Sequence, residues 1–320
     1  MKTKKKFYVT DYHVITPSFK SDIKEKIMVI SDMHYQTSVN RDLFEILIEY
    51  AKETNPSVII MPGDQIETID FIDEEDNRNF FENIIKELSK VAPVIMIPGN
   101  HEIKNFDREN FKNRLNSSSD INTKALEYFK GLTKFENVYF LNNEQITING
   151  INFLGFSPRL STYQKMNDKK TEEEFVEDYI NSKFKVNKNN YNILLTHSPL
   201  YLTNQNVLNS IPEFNLIDLV ITGHFHDGYL PKKLDRLFGK TNAGLFFTPM
   251  VLPYPGLVCR GMNDFKRGYL FVSQGYRKWT ADIKLFNAFE KITANDIENI
   301  IIKKGNEKSF SSSTYKPYCK

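Results

Sequence analysis

The sequence predicts an α/β fold with two facing sheets. Two observations carry this. Up to about residue 100, short runs rich in β-branched residues alternate with helix-like segments, the pattern of a right-handed parallel α/β layer. After residue 136 the rhythm changes to strand, tight turn, strand, which predicts a mixed or antiparallel second sheet facing the first.

The elements follow in order. The opening MKTKKKFYV is basic, but no apolar segment follows, and TDYHVITPSFKSDIKEK is polar and broken by Pro17. This predicts no cleavable signal. The lysines at positions 2, 4, 5 and 6 are a solvated start or, at most, a peripheral contact with an anionic surface. KIMVIS (26–31), SVIIMP (57–62) and PVIMIP (93–98) are the first three strands. Between them, RDLFEILIEYAKET (41–54) places Leu43, Ile46, Leu47 and Tyr50 on one helical face. RNFFENIIKELSKV (78–91) does the same with Phe80, Ile84, Ile85 and Leu88, and the acidic run DFIDEEDN (70–77) before it reads as a solvated loop.

NVYFLNNEQITINGINFLGF (137–156) reads as strand, Asn-Gly turn, strand. NDKKTEEEFVEDYINSKF (167–184) reads as an inserted helix, and YNILLTH (191–197) and IDLVITG (217–223) as strands. The aromatics of GLFFTPMVLPYPGL (244–257) suit a core or a hairpin cover, or the wall of a site. GYLFVSQGYRK (268–278) and IENIIIKK (297–304) are strands expected in the second sheet. Residues 1–304 are expected to form one domain, and the tail 305–320, low in apolar content, to be disordered.

The bulk numbers exclude several classes. With 42 basic and 40 acidic residues, the net charge of +2 gives no electrostatic case for nucleic acid as an obligatory partner. Two cysteines, Cys259 and Cys319, do not make a disulfide framework or a Cys-built zinc site. No window is apolar for long enough to span a bilayer. A cytoplasmic location is expected.

The chemistry lies at the ends of the apolar runs. The first ends SDMH, with Asp32 and His34. The next two end PGDQ, with Asp64, and PGNHE, with Asn100, His101 and Glu102. Later runs end THSP, with His197, and TGHFHDG, with His224, His226 and Asp227. Ligands of open parallel sheets bind outside the carboxyl ends of strands, so these side chains are expected to converge. Five of the six histidines lie in these segments; the sixth, His13, reads as structural. Imidazole, carboxylate and amide oxygen together suit a divalent transition metal. The i, i+2 spacing of Asp32 and His34, and of His224 and His226, would put each pair on one side of an extended strand end. A carboxylate can bridge two metals where an imidazole cannot, and Asp64 is the natural bridge. Gly63, Gly99 and Gly223 are expected to supply sharp or positive-φ turns beside the ligands.

DMH, GD, GNHE, H and GHFH, in this order from Asp32 to His226, resemble the calcineurin-like metallophosphoesterase superfamily, and GLVCRGMNDFKRGYLFVSQGYRKW (256–279) is similar to its bacterial phosphodiesterase-like members. The resemblance implies a four-layer α/β/β/α sandwich and two divalent metal ions, manganese, iron or zinc. It implies that Asp32, His34 and His226 bind one ion, that Asn100, His197 and His224 complete the other, and that Asp64 bridges. Asn100 and His101 would contact the substrate phosphoryl group, and His101 would protonate the leaving group after attack by a bridging hydroxide. Ser/Thr protein phosphatases of the superfamily carry an arginine in a GDxxDRG stretch; here GDQIETID has none, which disfavours a protein phosphatase. A small phosphoester or a lipid head group is the expected partner, a diester before a monoester. A phosphomonoesterase or nuclease on the same site, and a non-catalytic scaffold, are the alternatives. Glu102 reads equally as a helix cap or as a carboxylate orienting a histidine. Arg159, in GFSPRLSTY, is either a bidentate phosphate contact or a surface residue.

Overall fold

The computed structural model describes residues 6–35, 41–104, 123–163, 168–226, 260–276, 296–313 and 316–319. Asp227 and the aromatic segment 244–257 lie outside these residues, as do the lysines at positions 2, 4 and 5.

The first sheet is built on β2 (Glu25–Val29), β3 (Val58–Pro62), β4 (Val94–Ile97) and β5 (Val138–Phe140), all parallel neighbours. Helices α1 (Arg41–Thr54) and α2 (Glu75–Ser89) make the first two crossovers. Phe44, Ile46, Leu47, Tyr50 and Ala51 are the buried stripe of α1; Leu43 is only partly buried. In α2, Phe81 rather than Phe80 joins Ile84, Ile85 and Leu88. The acidic run 70–77 is not a plain solvated loop, and its last residues, Glu75 to Asn77, open α2. Ile69–Ile72 form a 3-10 turn that buries Ile69, Phe71 and Ile72.

Three apolar clusters define four layers. Alternation along β2 sends Ile27 and Val29 to one face and Met28 and Ile30 to the other. Met28 and Ile30 pack with α1, α2 and α4 (Thr123–Gly131). Ile27 and Val29 meet Phe153, Ile193, Ile221 and Phe271 of the second sheet. That sheet runs β10 (Gly261–Phe265), β11 (Gly268–Val272), β9 (Leu219–Thr222), β8 (Tyr191–Leu195), β7 (Ile151–Gly155), β6 (Glu144–Ile148). Its outer face, with Leu154, Leu194, Val220 and Leu270, packs on Phe175 and Tyr179 of α5 (Lys169–Asn181) and on α6 (Gln205–Ser210). The result is helices, sheet, sheet, helices, with both sheets mixed.

Three expectations are corrected. The stretch 137–156 does contain a hairpin, β6–β7, closed by Asn149 (φ 52°) and Gly150 (φ 76°). Its first segment, β5, however, belongs to the first sheet. The strand near the end, β12 (Asp296–Lys304), also lies in the first sheet, antiparallel to β2 and parallel to β1 (Lys6–Thr16). The described residues of the tail form two strands: β13 (Ser309–Ser312) and β14 (Lys316–Cys319) pair antiparallel with separate halves of β1. Open backbone groups along an edge strand explain why such a polar segment takes up structure. Tyr318 adds an apolar anchor, stacked on Phe7 at 5.1 Å.

Candidate metal centre

The carboxyl ends of both sheets meet at one place. β2 delivers Asp32 and His34, β3 delivers Asp64, and β4 runs through Pro98-Gly99 into the short helix α3 (Asn100–Ile103) carrying His101. β8 and β9 of the opposite sheet deliver His197, His224 and His226. Among the described residues, three groups of ligand-type atoms come within 4.8 Å of one another: Asp32 with His34 and His226, Asp64 with His197 and His224, and His34 with Asp64 and His101. Asp32 and His197 are fully buried, and His34, Asp64, His101 and His226 nearly so.

The backbone reaches this geometry by a different route from the one the spacing suggested. Asp32 (φ 53°), His34 (φ 44°), Asp64 (φ 53°), His224 (φ 76°) and His226 (φ 46°) all lie in the left-handed region. The i, i+2 pairs are therefore folded turns, not extended strand ends. Of the three glycines, only Gly63 has positive φ, at 94°. Gly223 acts instead by lacking a side chain, since a Cβ there would overlap Ser31 Oγ and the Asp32 carboxylate. The same holds at Gly99 against Asp64.

A second layer of contacts fixes the imidazoles. His197 Nδ1–H donates to the Pro62 carbonyl at 2.7 Å, which leaves Nε2 facing Asp64 Oδ2 at 3.0 Å. His34 Nδ1 lies 2.9 Å from Glu67 Oε2, leaving its Nε2 3.0 Å from His226 Nε2. His101 Nδ1–H donates to the Glu67 carbonyl at 2.7 Å. Glu67 therefore holds two of the histidines, one by its side chain and one by its backbone. It is a residue of the centre that sequence reasoning missed.

Glu102 orients no histidine. It caps α3 and ties two loops together. Its Oε2 accepts from Gly99 N at 2.7 Å and Asp64 N at 2.9 Å; its Oε1 accepts from Gln65 N at 2.7 Å and Ile66 N at 3.1 Å. His101 N donates to Asp64 Oδ1 at 2.9 Å, so the third and second strand ends are bound from both sides.

Electrostatics follow from burial and crowding. Burial alone would raise the Asp64 carboxyl, but His197, His101 and His34 hold it well below the ordinary range. Burial, and then the charge of Asp64, raises Asp32 against the pull of His197. Burial and then His197 push His224 down to about 3, while burial and then His101 lower His34. Burial would lower His197 as well, but Asp64 and Asp32 carry it up to about 9. Burial and then Asp64 push Glu102 up to about 7, against its amide donors.

The donor set fits a divalent metal. The Asn100 side-chain oxygen Oδ1 is buried with no hydrogen-bond partner, which suits an oxygen whose partner is a metal ion. Imidazole nitrogens and carboxylate oxygens face one another at 3.0–3.9 Å, an arrangement that a cation relieves.

Of the two readings of Arg159, the surface one matches its contacts: its guanidinium is ion-paired with Asp178 at 2.5 Å and Glu177 at 2.7 Å, on α5. The same stretch instead brings Tyr163 to the centre, with its ring 5.7 Å from that of His224 and 6.1 Å from that of His197. Burial, then the charges of Asp64 and Glu102, keep the Tyr163 phenol protonated. His13 sits on β1, paired with Ile301, and belongs to none of the three groups.

Fold and site together define a hydrolase-type divalent metal centre set between two sheets. Residues 25–228 match the calcineurin-like phosphoesterase family, and the chain belongs to it, a family of metal-dependent phosphoric ester hydrolases. Two curated relatives, uncharacterized metallophosphoesterases from Helicobacter pylori strains 26695 and J99, are each 23% identical over 212 residues. That is 66% of this chain but 47% of each relative, so the chain spans about half the length of the curated relatives it matches. Among solved structures, a dimetal phosphatase from Danio rerio aligns with 13% identity and a TM-score of 0.41, over 78% of this chain and 87% of that one. GAP50, the anchor in the inner membrane complex of Plasmodium, aligns with 11% identity and a TM-score of 0.40, over 79% and 72%. No helix among the described residues is long and apolar enough to cross a membrane.

Proposed function

We propose that the protein is a phosphodiesterase that works with two divalent transition metal ions, manganese, iron or zinc. The observation that carries this is the place of Asp64. One carboxylate oxygen, Oδ2, lies 3.0 Å from His197 Nε2 and 3.8 Å from His34 Nε2, so it belongs to both halves of the centre. Asp32, His34 and His226 would hold one ion, Asn100, His197 and His224 the other, with Asp64 between. When bound, such ions acidify a water for in-line attack on phosphorus and neutralise charge on the phosphoryl oxygens. Asn100 and His101 face the substrate phosphoryl group. His101 is well placed to act as general acid: Nδ1 is committed to the Glu67 carbonyl, which leaves Nε2 to hand a proton to the departing oxygen. The substrate is a small phosphoester or a lipid head group, and the low cysteine count suits the cytoplasm.

The test is metal-depleted protein reloaded with each ion and offered nitrophenyl mono- and diesters. Activity that survives exhaustive chelation would rule the reading out. His101→Ala is expected to keep its metal and lose on the order of 10²–10⁴-fold in kcat, less with a leaving group that is already a stable anion. Asp64→Ala should lose metal and activity together. If His101→Ala loses metal as fully as Asp64→Ala, His101 is a ligand and the division of labour is wrong.

A further inference from the structure

We propose that Tyr163 is a substrate-binding residue whose hydroxyl donates to a phosphoryl oxygen of a singly charged phosphodiester at the Asp64, His197 and His224 side of the centre. The assignment rests on the phosphoesterase reading above and deepens it.

Tyr163 closes the 3-10 turn Leu160–Tyr163 that follows β7. The residue is 8% exposed, and its hydroxyl is buried with no hydrogen-bond partner. Tyr128, Tyr179 and Tyr191 also have buried hydroxyls without partners. Their rings pack among apolar aromatic residues: Tyr128 on Phe71, Tyr179 on Phe214, Tyr191 on Phe19. Tyr163 alone among these four lies against ligand-type histidines, edge-on to His224 at 70° and tilted to His197 at 34°.

A buried phenol that has nothing to donate to is unfavourable unless a ligand supplies the acceptor. The neighbouring carboxylates do not supply it. Each oxygen of Glu102 already accepts two backbone N–H groups. Asp64 Oδ1 accepts from His101 N, and Oδ2 faces His197. Among the described residues the hydroxyl finds no acceptor, and a phosphoryl oxygen at a metal centre is of the right chemistry to be one.

Charge narrows the class. GDQIETID carries no arginine, and Arg159, four residues before Tyr163, is held by Asp178 and Glu177. The anion contact from this stretch is thus a neutral donor. A neutral donor adds no positive charge to that of the metal ions, and of the two ester classes the singly charged diester needs less of it.

The experiment uses the metal-loaded full chain and its Tyr163→Phe variant. Metal content, thermal midpoint, and calorimetric binding of dimethyl phosphate and of inorganic phosphate are measured side by side. The variant should keep its metal, and its midpoint should hold or rise, because the hydroxyl bonds to nothing in the free protein. It should bind dimethyl phosphate about 10–100-fold more weakly, the size of a hydrogen bond to a charged acceptor. Its kcat/KM for a nitrophenyl diester should fall by a similar factor. Unchanged dimethyl phosphate binding, loss of metal, or failure of the wild type to bind dimethyl phosphate overturns the assignment. A loss confined to inorganic phosphate overturns the diester preference. Tyr163-dependent anion binding by a wild-type protein that hydrolyses no phosphoester would uphold Tyr163 and refute the hydrolase reading instead.

Discussion

Glu102 shows how a single carboxylate organises this centre. Four backbone N–H groups converge on it, two on each oxygen. Replacing it with Gln cannot reproduce that. Whichever way the amide turns, its NH2 faces two donors, and buried donors are left unsatisfied. We expect Glu102→Gln to lose about 3 kcal/mol in denaturant unfolding, and to bind metal more weakly because the Asp64 loop is no longer tied to α3. An unfolding midpoint equal to that of the wild type would show that the clamp is not needed. At this scale the ligand-type residues were legible, because each follows directly on an apolar run and the site lies where such runs end. Glu67 and Tyr163 were not. Each acts from a turn, with no periodic pattern to mark it, and only the folded chain brings them to the histidines. Arg159 drew attention for its charge, yet its neighbour by three-dimensional accident of the helix is Asp178, 19 residues away in sequence but directly beside it in the fold.

Among the elements, β1 and its two covering strands depend most on distant sequence. Every second residue of β1 from Tyr8 to Thr16 is buried, a clean strand period that the flanking charges and Pro17 obscured. Its partners, β12, β13 and β14, lie some 290 residues further on, and no local pattern announces such pairing. The helices and the parallel strands β2 to β4 were readable because their evidence is local: apolar period, turn residues, crossover length. The tail also makes side-chain contacts. Tyr318 packs on Phe7 and Tyr50, and its hydroxyl donates to Glu53 at 2.7 Å. Truncation after Lys304 should therefore bare the edge of β1, lower the melting temperature by about 5 °C, and promote self-association. Size-exclusion chromatography and a melting scan of the truncated chain check both effects; a monomer with an unchanged melt would mean the tail strands add nothing.

Across the whole molecule, buried tyrosines set the response to alkali. Tyr35, Tyr50, Tyr128, Tyr163, Tyr179, Tyr191, Tyr201 and Tyr269 all have pKa values raised, burial being the first cause in each. A folded-state pKa above the unfolded value means the folded chain holds its proton more tightly. The stability this contributes is present below about pH 10 and is lost as pH rises through the folded pKa. Tyr50 is the best-defined case, raised to about 12 by burial, with Asn299 Nδ2 donating to its oxygen at 2.7 Å. Its share amounts to about 2–3 kcal/mol between the two pKa values. Urea unfolding from about pH 9 to about pH 11 should show a steep fall in stability, and a shallower one in Tyr50→Phe. Equal slopes for the two proteins would remove Tyr50 from the account.

The left-handed turns that carry Asp32, His34, Asp64, His224 and His226 set selection for activity against selection for durability. A non-glycine residue in that region costs roughly 1–2 kcal/mol, and five of them at one place are a standing load on the metal-free chain. Glycine normally weakens a protein relative to alanine. At His34 the order should invert, with metal-free His34→Gly melting at or above His34→Ala. Random mutagenesis screened only for heat resistance would then drift toward glycine at these positions and discard the metal centre, whereas a screen that also demands bound metal would keep all five turns as they are.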